Sequence, residues 1–323
     1  MSASQSIAVV IPSWNSLGLL PRCLASLADQ GVEMELLVVD NGSTDGSLRY
    51  LQEEGVPHLA LPRNVGFAAA MNLGAGKVSA EAILALNADT VLEPGCAGRL
   101  LDALEADASL GGVQPRILQL DGHDAAPPDV ASARLYSAGQ ALLADGRAVE
   151  EGGGEEQSAP FLREHEIFGV CGAACLLRRE LFSDLGGYDE RYFAFYEDVD
   201  LNVRARIAGW NFAYLPEAVV WHVGNASWLA GFARPNAENA RLVARNRLAT
   251  QIKFMPVGST PRIAAVEVGS LWRAARERRL RATLAGKLGA LVWLPALLRE
   301  RRRLRRDGDP GRARRWLGVY TLR

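Results

Sequence analysis

The chain has 323 residues, 49% of them hydrophobic and 23% charged, a balance that fits a globular protein of one large or two modest domains. Its formal net charge of −1 conceals an asymmetry: residues 273–323 hold 16 Lys+Arg against 4 Asp+Glu, leaving 20 against 33 for the rest, so an acidic body carries a basic tail. Cys23, Cys96, Cys171 and Cys175 have no paired C-x-x-C spacing and no ligand-type His nearby, which excludes a zinc ribbon and a disulfide framework and fits a reducing cytoplasm.

Ile7–Ile11 predicts a first strand stopped by Pro12, too short for a secretory signal core and lacking its basic flank. Leu17–Ala28 has helical spacing, with Ser16 as its cap. Glu35–Val39 predicts a second strand ending at Asp40, and Asn41-Gly42-Ser43 a turn before a helix through Leu51. His58–Leu61 is a third strand, followed by a helix from about Phe67 to Gly76, and the apolar run at Ala82 is a fourth strand. Strand and helix alternate, the mark of a doubly wound, mostly parallel α/β sheet. Residues 121–160 turn polar and rich in Gly and Pro and predict a mobile loop, with a hairpin around Asp145-Gly146. An apolar strand over Cys171–Leu177, helices over Glu180–Leu185 and Val199–Ala208, and helical sequence from Ala237 to Phe254 and again from Pro261 complete the chain. No uninterrupted apolar run reaches the length of a spanning helix.

No G-x-G-x-x-G follows the first strand, which disfavours a dinucleotide dehydrogenase, and no P-loop motif occurs. Four clusters carry chemistry instead. Pro12-Ser13-Trp14-Asn15 and Asp40-Asn41-Gly42-Ser43 end two early strands; side by side they form a nucleotide floor, Asp40 accepting from a base imide or ribose hydroxyl, although both also suit ordinary β–α turns. Arg63-Asn64-Val65-Gly66-Phe67 leads into a helix start suited to a diphosphate, with Asn72 further along as a structural bond or a ligand contact. Asn87-Ala88-Asp89 offers hard oxygen ligands for Mg²⁺ or Mn²⁺ at a strand end. Glu197, Asp198 and Asp200 crowd a helix start beside Tyr196 and other aromatics. Capping explains them, and so does a carboxylate that removes a hydroxyl proton beside a framed sugar ring.

These clusters, in this order, resemble the family 2 glycosyltransferases, inverting enzymes with the GT-A fold, from about Ser6 to Asn246. Asn64-x-Gly66-Phe67-Ala68-x-Ala70-x-Asn72 is similar to a subgroup that includes rhamnosyl- and galactofuranosyltransferases. Asn87-Ala88-Asp89 stands where the family has Asp-x-Asp, which implies Asp89 as metal ligand with Asn87 on the donor. Glu197-Asp198 resembles the family's Glu-Asp pair and implies Asp198 as general base. Gly172-Ala173 is similar to a segment facing the acceptor, and Trp221-His222 with Gly224 to one whose His closes over the metal or diphosphate. Arg245-Asn246 is similar to a recurrent pair with no role assigned by its chemistry.

The resemblance implies a Rossmann-like nucleotide half, holding Pro12, Trp14, Asn15, Asp40, Asn41, Arg63, Asn64, Gly66, Phe67, Asn72 and Asn87, joined to an acceptor half. The expected organisation is a GT-A unit over 1–255, with a flexible lid at 121–165, and a basic helical extension over 256–323. The expected reaction moves a sugar, dTDP-rhamnose favoured, to a hydroxyl of a polyprenyl-diphosphate-linked or glycan acceptor. A UDP-hexose or galactofuranose donor and a non-catalytic sugar-nucleotide-binding subunit are the alternatives. A nucleotidyltransferase would want a Gly-rich, Arg-containing loop at Pro12–Asn15, which is absent. In the tail, Leu284–Leu298 is apolar apart from Lys287 and is followed by an arginine cluster, which suits an interfacial helix on the anionic inner face of a plasma membrane. Packing on the body or contact with a second copy is the competing expectation, and nucleic acid is not an expected partner.

Overall fold

A computed structural model describes residues 7–122, 127–223 and 237–318. Its centre is a sheet built on four parallel strands: β1 (Ile7–Ser13), β2 (Met34–Asp40), β3 (His58–Ala60) and β4 (Ala82–Leu86). Along β1, β2 and β4 alternate residues enter opposite cores, as the two-residue period of a strand requires. Ala8, Val10, Val39, Ile83 and Ala85 pack with Ala68, Ala70 and Met71 of α3 (Phe67–Ala75). Ile7, Val9, Ile11, Val38 and Leu84 pack with Leu20 and Cys23 of α1 (Leu20–Ala25) and with Leu100 and Leu104 of α4 (Cys96–Ala106). Both faces are thus covered, which is why these strands read as unbroken apolar runs.

β1 does not stop at Pro12: it runs on to Ser13, with Pro12 opposite Val39. Pairing with β4 ends at Val10 opposite Ala85, so the N–H that Pro12 lacks falls where no strand needs it. α1 starts at Leu20, later than expected, with Leu19 and not Ser16 at its N-cap; the Ser16 carbonyl accepts from the Leu19 and Leu20 N–H groups in the turn before it. The helix after β2 is α2 (Ser47–Glu53), and the side chain before it that bonds the Ser47 N–H is Asp45.

The second half of the sheet is mixed. β6 (Leu110–Gln119) and β12 (Asn211–His222) run parallel to one another, and β11 (Ala174–Arg178) lies antiparallel between β4 and β6. The order is β3-β2-β1-β4-β11-β6-β12, with β10 (His165–Glu166) at the edge, β5 (Thr90–Leu92) on β12 and β7 (Leu135–Ser137) on β6. The polar stretch expected to be a mobile loop is, where described, a folded insert. It contains β7 and a hairpin of β8 (Gln140–Leu142) and β9 (Ala148–Glu150) turning at Asp145-Gly146, and it buries Leu135, Ala138, Leu142 and Phe161. Its glycines serve turns, as Gly139 and Gly146 do with positive φ, which is why composition alone resembles a loop.

α5 (Arg179–Asp184) and α6 (Glu197–Ala208) precede β12. Helices over Ala237–Phe254, Thr260–Arg276, Leu280–Val292, Leu294–Asp307 and Pro310–Arg314 form the C-terminal region. Among the described residues no single helix is long and apolar enough to cross a membrane; Leu280–Val292 and Leu294–Asp307 form a pair bent by 57°.

Candidate active site

Parallel β1 and β2 end together, Ser13 opposite Asp40, with the Asn41 N–H donating to the Ser13 carbonyl at 2.7 Å. Asp40 is 1% exposed; one carboxylate oxygen accepts from the Ser43 N–H at 3.2 Å. The other, Oδ1, and the Ser13 hydroxyl are buried with no hydrogen-bond partner. Buried polar atoms are normally paired, so two orphans on neighbouring strand ends mark a place for an ordered water or a polar ligand. The adjoining turns are tied together: Asn15, with φ +51°, accepts from the Thr44 N–H at 2.8 Å, and its own N–H donates to Ser43 Oγ at 2.9 Å. Trp14 stands 47% exposed beside them, and Arg63 is exposed without an ion pair among the described residues.

Asn41 and Asn72, expected among donor contacts, have both ends of their carboxamides hydrogen-bonded within the protein, and Asn64 has its Oδ1 so engaged. Asn41 accepts from the Val65 N–H and donates to Asn64 Oδ1, which also accepts from the Gly66 N–H, so the pair shapes the turn before α3. Asn72 accepts from the Tyr188 N–H and donates to Tyr188 O and Glu190 Oε1, bracing α3 against the segment that leads to α6. The open N–H groups expected at the start of α3 are also partly taken, since Ala68 N donates to Phe193 O at 3.1 Å. Gly66, with φ +92°, permits this approach: a Cβ there would lie 2.5 Å from Phe193 O. Phe67 packs its ring 6.0 Å from that of Tyr188.

Asn87 and Asp89 follow β4. The Asn87 N–H donates to Ala173 O at 2.9 Å, and the Asn87 carbonyl accepts from Thr90 Oγ1. β12 pairs His222 opposite Thr90, which brings His222 Nε2 within 3.1 Å of Asp89 Oδ1. His222 Nδ1 is buried without a partner, and the Tyr136 ring meets the imidazole edge-on at 4.4 Å. The Asp89 carboxylate suits Mg²⁺ or Mn²⁺, which favour oxygen ligands. Among the described residues no three ligating side chains cluster, so such an ion would complete its shell with water and substrate oxygens. Gly224 lies outside the described residues.

Of the three acids at the start of α6, Asp200 is buried in ion pairs with Lys253 (2.6 Å) and Arg204 (2.6 Å) and is unsuited to proton transfer. Asp198 points the other way. Its Oδ2 accepts from the Gly172 N–H at 3.0 Å and Gln140 Nε2 at 2.7 Å, and its Oδ1 from the Val199 N–H at 2.8 Å. Burial nevertheless holds its pKa above the usual aspartate value, against these donors. Burial, and then the charge of Asp198, push Glu197 well above the usual glutamate value, and its Oε2 has no partner. Tyr196, at φ +69°, accepts from the Ala148 N–H at 3.4 Å.

Two neighbours of Asp198 are absent from the sequence-based site: Gln140 and Glu150, both in the insert. Gln140 Nε2 also donates to Glu150 Oε1 at 3.1 Å, and Glu150 Oε2 accepts from Ser137 Oγ at 2.6 Å. Burial, with Asp198 nearby, pushes the Glu150 pKa up to about 7. No local pattern announces them, because only the folding of the insert brings them to α6.

The sequence profile of Glycosyl transferase family 2 matches residues 8–186. The N-acetylglucosaminyl-diphospho-decaprenol L-rhamnosyltransferase of Mycobacterium tuberculosis is 29% identical over 233 residues, covering 63% of this chain and 71% of that protein. GalNAc-T7, solved with UDP, GalNAc and Mn²⁺, superimposes with a TM-score of 0.61 at 14% identity over 84% of this chain and 52% of its own. A mannosyltransferase from Pyrobaculum calidifontis, solved with GDP-Man and Mn²⁺, gives 0.52 at 17% identity over 92% and 84%.

Proposed function

The chain belongs to glycosyl transferase family 2 and is a glycosyltransferase of GT-A fold, and on that premise we propose that it transfers rhamnose from dTDP-rhamnose, with inversion, to a hydroxyl of a polyprenyl-diphosphate-linked glycan. One observation carries this reading. The Asn87 N–H bonds Ala173 O while the Gly172 N–H bonds Asp198, so one short loop joins the Asn-Ala-Asp motif to the base carboxylate. The relative named a rhamnosyltransferase on a decaprenol-linked acceptor supports the choice of sugar and acceptor.

Each residue then has a part. Asp40 and Ser13 offer their orphaned oxygens to the base or ribose, Trp14 and Asn15 flank it, and Arg63 meets the diphosphate. Asp89 and His222 would hold Mg²⁺ or Mn²⁺, which supplies positive charge against the leaving diphosphate. Asp198 removes the acceptor proton as its oxygen attacks the anomeric carbon from the face opposite the leaving group. The raised pKa makes its carboxylate a stronger base. Burial and the charge of Asp198 both favour the neutral form of Glu197. Gly172, Ala173 and Tyr196 frame the acceptor.

In this proposal residues 1–255 are the catalytic unit, and the helices beyond seat it on the inner face of the plasma membrane. Trp272 and Leu288, both 64% exposed, together with Leu284, Leu291 and Val292, give these helices an apolar outer face, and Arg276 lies over Trp272 at 4.7 Å. Calorimetric titration with dTDP, UDP and GDP, with and without Mn²⁺, tests the donor: metal-dependent binding of dTDP alone is expected, and preference for UDP would transfer the proposal to a UDP-sugar. Failure of anionic vesicles to pellet the chain at low salt would remove the membrane surface.

A further inference from the structure

The four residues before Glu197 contain three aromatics with left-handed backbones: Phe193 (φ +66°), Phe195 (+69°) and Tyr196 (+69°). Side chains with a Cβ resist this region, and such conformations persist only where the surroundings hold them. The holder is Asn246, 0% exposed in the Ala237–Phe254 helix. Its Nδ2 lies 2.9 Å from Tyr192 O, 2.8 Å from Ala194 O and 2.7 Å from Phe195 O, so two amide hydrogens serve three carbonyls across the strained turn.

Arg245 fixes which end of that carboxamide faces the turn. Its Nε donates to Asn246 Oδ1 at 2.9 Å, its Nη2 donates to Tyr192 O at 2.9 Å, and its guanidinium lies over Trp293, 4.6 Å from the ring centroid. Trp293 sits at the bend between the Leu280–Val292 and Leu294–Asp307 helices. The first of these fits close against the Ala237–Phe254 helix at Gly286, where any Cβ would overlap the Arg241 carbonyl. The carbonyls gathered by Asn246 end at Phe195, two residues before the Glu197-Asp198 pair.

We propose that Arg245 and Asn246 are positioning residues, a clamp that holds residues 192–196 in the backbone that aims Asp198, completed by Trp293 from the C-terminal helices. The inference rests on Asp198 as base. The clamp acts on the direction of the carboxylate and lies apart from the nucleotide floor on β1 and β2, although it meets the turn before α3 at Phe193, whose carbonyl accepts from the Ala68 N–H at 3.1 Å.

The test uses the intact chain carrying Asn246→Asp or Arg245→Gln. Asn246→Asp keeps the shape but turns a carboxylate on three carbonyl oxygens, so packing alone would tolerate it and the clamp would not. Hydrogen exchange read by mass spectrometry is expected to accelerate about tenfold or more at amides 194–200 and to stay unchanged across β1, β2 and β4. Transfer from dTDP-rhamnose is expected to lose about 10²-fold in kcat, with a smaller change in donor KM, as misaimed groups do. Unchanged exchange at 194–200, or a retained kcat, would overturn the clamp. Should Asn246→Asp fail to fold, Arg245→Gln is judged by the same two readouts. Exchange does not depend on the sugar transferred, so a wild-type chain inactive with every donor would sink the proposed function while exchange alone still decides the clamp.

Discussion

The edge formed by β1 and β2 and the edge formed by the start of α6 solve different problems with different materials. At the first, regular parallel pairing carries Ser13 and Asp40 to the same level and leaves a hydroxyl and a carboxylate oxygen buried without partners. At the second, the backbone is irregular, yet Asp198 accepts from Gly172, Gln140 and Val199. An unsatisfied edge is completed by what binds there, whereas a satisfied edge is fixed before anything arrives. On the proposed function, a nucleotide supplies its own donors at the first edge, and a base at the second must already be aimed when its substrate docks.

Three changes would break or sharpen this contrast. Asp198→Asn should lower kcat by about 10²–10⁴-fold, the usual worth of a general base, and leave nucleotide affinity intact. A matching loss of nucleotide affinity in calorimetry would erase the distinction between the two edges. Asp40→Ala should act in the opposite sense, weakening nucleotide binding by about 10–100-fold, the worth of a hydrogen bond to a charged group, with a smaller effect on kcat. Unaltered affinity would mean that the orphaned oxygen at Asp40 is not a ligand site.

The smallest effect concerns pH. Glu150 is held at about 7 in the folded chain, above its ordinary 4.5. Between these values the unfolded chain releases the proton that the folded chain retains, so stability falls as pH rises from about 5 to 7. Glu150→Gln should flatten that part of the thermal-stability profile. An unchanged slope would show that the insert leaves Glu150 in ordinary contact with water.

The parts legible in the sequence are those where local pattern and tertiary role coincide. β1, β2 and β4 are covered on both faces, so their apolar runs are visible directly, as is the turn at Asp145-Gly146. β6 is hidden because Gly111, Gly112 and Pro115 interrupt it, residues that local propensity assigns to turns. At the site, Asp40, Asp89 and Asp198 sit at element ends where a carboxylate is conspicuous. Asn41, Asn64 and Asn72 read in sequence as ligand contacts or structural bonds, and each bonds backbone here, since a carboxamide serves either purpose equally well. Gln140 and Glu150 have no local signature at all. Their role comes from a hairpin that reaches α6 only in three dimensions.

The antiparallel strand β11, lying between β4 and β6, also orders events in time. As the chain emerges during synthesis, β1 to β4 are complete early, but the outer edge of β4 waits about ninety residues for its partner, on the order of ten seconds at ordinary synthesis rates. Through that interval Ala82–Leu86, apolar on both faces, presents unpaired backbone groups of the kind that recruit other chains. The central strand of the finished enzyme is therefore the aggregation-prone edge of the nascent one, and the arrival of β11 ends that exposure.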